Sequence, residues 1–381
     1  MLGLTSLFMD MSTELMQSLL PLFMVEVLGA PIAVVGLIDG IAEATASFTK
    51  VLSGALSDQL GKRKALALAG YGLAALSKPL FPLAQGLAPV FLARFLDRIG
   101  KGVRDAPRDA LVADIVAPEG RGAAYGLRQA LDTLGALAAP LLAVGLMWLL
   151  AGNFRHVFWF ACLPALLSVL TLAIGVREPT APAGTERRSF PLRRSELARL
   201  GGRFWLLILV ILLLLLPRFS GSLLLLRASS LGLADRWVPL VLAAMNLVYA
   251  PVSAPAGRLA DRVGRYPLLF AGAAVLAAAQ ILLAVAQTPA LVFLGAMLWG
   301  LQYGLTQGAM QALIADSAPK DLAGTAFGLF NMVSGVAILA GSWTAGAIWD
   351  WAGAEAAFLA AAGVGMFGLL GLAGFARRPT I

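Results

Sequence analysis

GALSDQLGKR at residues 54–63 is answered about 200 residues later by GRLADRVGR at residues 257–265. Both stretches fit G-x-L-[SA]-D-x-x-G-[KR], and each closes a long apolar run. A second echo follows the same interval. ADIVAPEGRGAAYG at residues 113–126 returns as ADSAPKDLAGTAFG at residues 315–328. A chain that repeats itself at this distance, between apolar runs, is built from two related halves.

The apolar runs themselves set the class. Of 381 residues, 59% are hydrophobic and 13% charged, and the mean hydropathy is +0.83. Soluble domains are about 45–50% apolar and 25% charged. This excess excludes a soluble enzyme, a nucleic-acid-binding protein and a disordered chain. A single cysteine, Cys162, permits no internal disulfide and no multi-cysteine metal site. A helix needs about 20 mainly apolar residues to cross about 30 Å of hydrocarbon. Twelve such runs are present, roughly at 4–28, 32–58, 65–84, 88–115, 122–150, 157–176, 204–226, 237–257, 267–286, 289–316, 323–349 and 355–376. None shows the alternating polarity of a membrane barrel. The first run lacks a basic leader and is interrupted by Asp10 and Glu14, so it reads as a span and not as a signal peptide. The expected class is an all-α membrane protein with 12 transmembrane helices in two pseudo-symmetric six-helix bundles, 1–176 and 204–381, joined by a basic linker, 177–203.

Loop charges orient the spans. With the N-terminus inside, the cytoplasmic loops hold Lys62, Arg63, Lys64, Arg121, the seven linker arginines, Arg258, Arg262, Arg265, Lys320, Arg377 and Arg378. The opposite loops hold Arg155, Arg227 and Arg236. Both termini are therefore expected in the cytoplasm. The net charge of +8 then follows from topology, and nucleic acid is not a partner.

The loop repeats resemble the signature motif of the major facilitator superfamily, carried between its second and third helices and again between its eighth and ninth. RFLDRIGKG at residues 94–102 is similar to that family's R-x-x-x-G-x-G-x-G pattern, with Arg98 where a glycine is common. GALAAPLLA at residues 135–143 matches the family's antiporter motif in part: Ala139 replaces its second glycine and the closing Gly-Gly is absent. The resemblance implies a multi-pass transporter of a bacterial inner membrane, with membrane lipid around it, acting as a monomer. It also implies that Gly54, Asp58, Gly61, Lys62, Arg63, Arg108, Gly257, Asp261, Gly264 and Arg265 form a cytoplasmic gate, with Asp58 in a state-dependent latch. The plainer reading is that these loops only set topology, with Lys62, Arg63 and Lys64 anchored at the anionic leaflet.

Ionisable residues within spans must face protein or water, because lipid exposure costs at least about 2.5–3.5 kcal/mol each. Asp10 and Glu14 are four apart on the first span. Asp39, Glu43 and Lys50 share a face of the second. Arg94, Arg98, Lys101, Asp105 and Arg108 form a stripe on the fourth, and Arg128 and Asp132 are four apart on the fifth. Lys78 stands beside Pro79 on the third. The second half offers Arg218 and otherwise neutral groups: Asn246, Tyr249, Gln302, Tyr303, Gln307, Gln311, Asn331 and Ser334. Proton coupling and charge recognition are accordingly expected in the N-terminal half, with Asp10 and Glu14 as carriers. Asp97 and Asp105 are alternatively structural partners of Arg98 and Arg108, and Asp39 is alternatively solvated near an outer surface. Met9, Met11, Met16 and Met24 read as packing in preference to Cu(I) ligands.

These residues describe a secondary active transporter that exports small organic compounds by alternating access with protons, needing no cofactor. The competing direction is uptake or exchange of an organic anion of siderophore, sugar phosphate or carboxylate type, favoured by the arginines. A receptor or assembly factor without transport is a third reading, which the paired gate motifs oppose. Neither a Walker loop nor a hydrolase or zinc motif is present, so the chain is not expected to be an enzyme.

Overall fold

The computed structural model describes residues 1–117, 120–177, 197, 199–319 and 322–377, excluding the side chain of Asp58. Most of the linker thus lies outside the described residues, as does the Asp58 latch. Among the described residues every regular element is helical. The helices are α1 (Leu2–Gln17), α2 (Ile32–Leu60), α3 (Arg63–Ser77), α4 (Leu87–Ile115), α5 (Arg121–Leu149) and α6 (Phe154–Gly175). They are followed by α7 (Gly201–Leu215), α8 (Leu240–Val263), α9 (Arg265–Val285), α10 (Pro289–Ser317) and α11 (Ala323–Ala376).

Proline and glycine decide where the apolar runs break. The first continues past α1 through Leu20–Leu22, with Pro21 at its start, into a π-helical stretch, Phe23–Val27. The third resumes after Pro79 as Leu80–Leu83. The seventh stops before Pro217 and resumes as Ser222–Ser230, and Gln280 donates to the Pro217 carbonyl at 2.8 Å. Without an N–H, proline cannot continue the helical ladder. The last two runs, spanned by α11, are two helices that meet at a kink at Gly353, whose φ of +87° only glycine adopts easily. Among the described residues, eight helices are long and apolar enough to cross a membrane. The chain is a multi-pass membrane protein.

The chain forms two compact units, Met1–Gly29 with Ile41–Phe190, and Ala30–Gly40 with Pro191–Ile381. Ala30–Gly40 therefore groups with the second unit, where a division at residues 176 and 204 would not put it. The reason is backbone contact. The Asp350 carboxylate accepts from the N–H groups of Ile32 (3.0 Å) and Ala33 (2.8 Å), supplying acceptors at the start of α2. A Cβ on Gly40 would lie 2.7 Å from the Leu339 Cα, so no larger residue fits that crossing.

In the first unit α1 packs on α5 and α6, and α3 packs on α4. Around them Met9, Tyr71, Ala74, Leu111 and Leu172 make an apolar core. Of the methionines of the first run, Met9, Met16 and Met24 are buried as packing groups and Met11 is half-buried. The two glycines of the fourth run serve different neighbours. A Cβ on Gly100 would lie 2.7 Å from the Gly70 carbonyl of α3, and one on Gly102 would lie 2.7 Å from the Ala46 carbonyl of α2. In the second unit α10 packs on α8 and α9, and α11 on α7 and α9.

The two sequence echoes meet in space within each unit. Arg63 pairs with Asp114 at 2.9 Å in the first. Arg265 pairs with Asp316 in the second and donates to the Ala312 carbonyl at 2.6 Å. Gly61 (φ +64°) and Gly264 (φ +89°) make the turns that bring these arginines round. The leaflet-anchor reading of this loop needs correction at Lys64, which instead donates to the Ala173 carbonyl near the end of α6 at 2.9 Å.

Gly100→Ala should lower the apparent melting temperature of the purified protein, since overpacking against rigid backbone costs about 1–3 kcal/mol. Gly72→Ala, where a Cβ meets nothing within 4 Å, should leave it unchanged or raise it. Equal melting of the two variants would contradict this account of the α3–α4 crossing.

Candidate functional site

The polar interior of the first unit is built on α4. Its Arg94, Asp97, Arg98, Arg104 and Arg108 are all buried. The expected stripe of Arg94, Arg98, Lys101, Asp105 and Arg108 is therefore wider than its spacing showed, for Asp97 and Arg104 belong to it. The signal was available: residues 97, 101, 104 and 108 also step by four and three.

Two groups of charges can be distinguished. In one, Lys78 donates to Asp97 at 2.8 Å and to the Thr13 hydroxyl at 3.1 Å, with both charged partners at most 2% exposed. Arg98 donates to the Gln17 side chain at 2.8 Å and lies 3.4 Å from Glu43 and 3.8 Å from Asp97. Arg94 lies 3.9 Å from the same Glu43 oxygen. In the other group, Arg108 donates to Asp109 (3.1 Å) and to the Ser6 hydroxyl (3.2 Å), and lies 3.6 Å from Asp105. Arg128 donates to Asp132 at 2.6 Å and lies 3.7 Å from Asp109. Arg104 spans Asp10 and Asp105 at 4.0 and 3.9 Å, with its guanidinium 4.9 Å from the Tyr71 ring centre. Arg104 Nη1 is buried without a hydrogen-bond partner among the described residues.

Glu14 differs from these carboxylates. It is half-buried, and the charges acting on it come from Lys101, Arg98, Asp10 and Arg94. Yet its carboxylate has no ion pair within 4 Å and no hydrogen bond among the described residues. Nor does the ammonium of half-buried Lys101. Lys50 of α2, also half-buried, likewise has no ion pair or hydrogen bond among the described residues, so the first unit sets one unclamped acid near unclamped lysines among residues that are mostly tied to each other.

The second unit has a different chemistry. Arg218, 3% exposed, stands at the break between α7 and Ser222–Ser230. It donates to Gln302 Oε1 (3.1 Å) and Thr306 Oγ1 (2.7 Å), and reaches the Met310 sulfur at 3.9 Å. The Tyr303 ring covers its guanidinium at 4.2 Å, and Tyr249 lies edge-on to Tyr303. Of the other expected residues on these helices, Gln307 is exposed, and Asn246 and Asn331 are half-buried. Of the gate residues, Asp261 is exposed and Gly257 half-buried, and a Cβ on Gly54 would meet Ala106 at 3.5 Å.

Asp39 is not solvated. It is 1% exposed and accepts from the hydroxyls of Ser220 (2.9 Å) and Ser222, while Ser220 N–H donates to the Ser342 hydroxyl at 2.9 Å. Two hydroxyl donors replace water around this carboxylate, which is what its burial requires. Sequence spacing placed it with Glu43 on one face of α2. That spacing says nothing of α2 being shared between the two units.

A family profile described as Major Facilitator Superfamily matches residues 2–234 and 218–380. An MFS-type transporter of Methanocaldococcus jannaschii is 30% identical over 92% of this chain and 87% of its own length. The multidrug resistance protein MdtH of Aeromonas hydrophila is 30% identical over 48% of this chain and 47% of its own. Among solved structures, the nucleoside transporter NupG (D323A mutant) superposes with a TM-score of 0.83 at 12% identity, covering 98% of both chains.

Removing one partner of the buried Lys78–Asp97 pair leaves an uncompensated charge, at a cost of about 3–5 kcal/mol. Asp97→Asn should therefore melt well below the wild type. The double variant Lys78→Met with Asp97→Leu should recover most of the loss. A double variant no more stable than Asp97→Asn would show that the pair does more than satisfy itself.

Proposed function

The chain belongs to the major facilitator superfamily and is a transporter, not an enzyme; from that premise we propose that it exports small organic compounds in exchange for protons across a bacterial inner membrane. The observation that carries the coupling is Glu14. A proton carrier must release its proton to water in one state and hold it in another, so it cannot be locked in a permanent ion pair. Glu43, Asp97, Asp105, Asp109 and Asp132 all have cationic partners within 4 Å. Glu14 keeps a free carboxylate, with Lys101 as the mobile cation that can approach it when the proton leaves. Asp10, one turn earlier, has only a 4.0 Å contact to Arg104 and is the second carrier. Export is supported by the partial antiporter motif at residues 135–143 and by the similarity of part of the chain to a multidrug resistance protein.

The motif's first glycine has a structural use that favours its retention. A Cβ on Gly135 would lie 2.8 Å from the Leu7 carbonyl, so α5 and α1 touch one turn from Asp10. Movement of α5 is thereby communicated to the helix that carries both acids.

Glu14→Gln in proteoliposomes should retain substrate exchange and lose accumulation driven by an imposed pH gradient. Asp10→Asn should weaken that accumulation without abolishing exchange. Gradient-driven accumulation that survives both substitutions would remove the first-span carboxylates from the coupling. The orientation is tested separately, by Lys62→Cys in a Cys162→Ala background. The Lys62 position should label with an impermeant thiol reagent only after the cell is opened.

A further inference from the structure

Arg218 is a buried cation in a unit that gives it no anion. No carboxylate lies within ion-pair distance of it among the described residues. Among the described residues, the ionisable groups that act on it are the phenols of Tyr303 and Tyr249. Its neutral acceptors are unequal. Gln302 and Thr306 hold Nε and Nη2, but Nη1 has only a thioether at 3.9 Å, a weak acceptor. Fully removed from water, a guanidinium is stabilised most by an anion that takes two parallel N–H bonds.

The surroundings restrict what else such an anion carries. Tyr303 covers the guanidinium, its ring meets Tyr249 at 6.3 Å and 78°, and both tyrosines are half-buried. Tyr303 turns its ring face to the guanidinium, and Tyr249 meets Tyr303 edge-on. Gln302 also donates to Thr306 at 3.1 Å, so the acceptors that aim the guanidinium are themselves fixed. Arg218 is therefore oriented before any ligand arrives, which reduces the ordering cost of binding.

We infer that Arg218, Tyr303 and Tyr249 form an anion-recognising half-site whose ligand is an organic carboxylate with a flat aromatic body. This rests on the transporter reading above and narrows its substrate class. The carboxylate takes Nη1 and the remaining Nη2 hydrogen in place of the Met310 sulfur. Tyr303 swings from the guanidinium to pack on the aromatic body, with Tyr249 at its edge.

The test uses two nearly isosteric probes, 2-naphthoate and 2-naphthamide, titrated into the purified full-length protein. The wild type should bind the acid at least about tenfold more tightly than the amide, the range expected for a charge-assisted pair. Arg218→Gln should abolish that preference, and Arg218→Lys, which lacks the fork, should retain only a small part of it. Gln302→Glu guards against misfolding of Arg218→Gln. It gives the guanidinium an internal carboxylate, so it should raise the melting temperature and remove the acid preference. Equal affinity of the wild type for both probes overturns the inference, as does an acid preference that persists in Gln302→Glu. The two readings fail separately. Naphthoate binding that depends on Arg218 without any pH-driven flux ends the coupling reading and leaves the half-site. Gradient-driven flux of neutral compounds with no acid preference ends the half-site and leaves the coupling.

Discussion

In hydrocarbon a charged side chain has no water to fall back on, and α4 carries four arginines and a lysine along 29 residues. Everything around that helix answers to this. Carboxylates come to it from α1 and α2 as well as from its own turns: Asp10, Glu43, Asp97 and Asp105, while α5 brings Arg128 to its Asp109. For those partners to reach, the neighbouring backbones must be close, and Gly70, Gly100 and Gly102 remove the side chains that would hold them apart. Small residues and buried charge are thus two parts of one requirement. The unpaired groups stand out against it. Where most charges are matched, Glu14 and Lys101, without an ion pair or hydrogen bond among the described residues, are available for something that comes and goes.

The second unit meets the same constraint by having few charges at all. Its Asp39 is dissolved in serine hydroxyls, and its Arg218 in an amide, a hydroxyl, a thioether and a tyrosine face. Hydroxyl and amide dipoles stabilise a buried charge without cancelling it. A carboxylate held this way keeps its sign, and so does a guanidinium. The two units are therefore unlike in chemistry although their loops repeat, Arg63 with Asp114 and Arg265 with Asp316.

The sequence was informative where a single helix decides the answer. Apolar length revealed the spans, and spacing placed Arg94, Arg98 and Arg108 on one face of α4; the breaks at Pro21, Pro79 and Pro217 were passed over, since the apolar runs continue across them. It was silent where two helices decide. Lys78 and Asp97 are 19 residues apart and looked unrelated. Arg104 was overlooked because the stripe was traced through Asp105, its neighbour. Asp39 was read with Glu43 by spacing, but Asp350 and Gly40 fasten the start of α2 to the second unit. Lys64 looked like a lipid anchor because a basic loop residue has no pattern that reveals a carbonyl on α6. Side-chain reach across a crossing is a property of packing, and one chain's periodicity does not contain it.

The pairing of Lys78 with Asp97 also bears on how the chain enters the bilayer. The helix α4 is long enough to span but is not among those apolar enough to do so by composition, and each intramembrane charge opposes insertion by about 2.5–3.5 kcal/mol. The connection from α3 to α4 is residues 78–86, with the short helix Leu80–Leu83 inside it. As the nascent chain emerges, α3 and α4 can close on each other as a hairpin through Gly70 and Gly100 before lipid is reached. Lys78 then meets Asp97 within the hairpin, and a pair of charges that would each be rejected by the translocon is presented to it as one dipole.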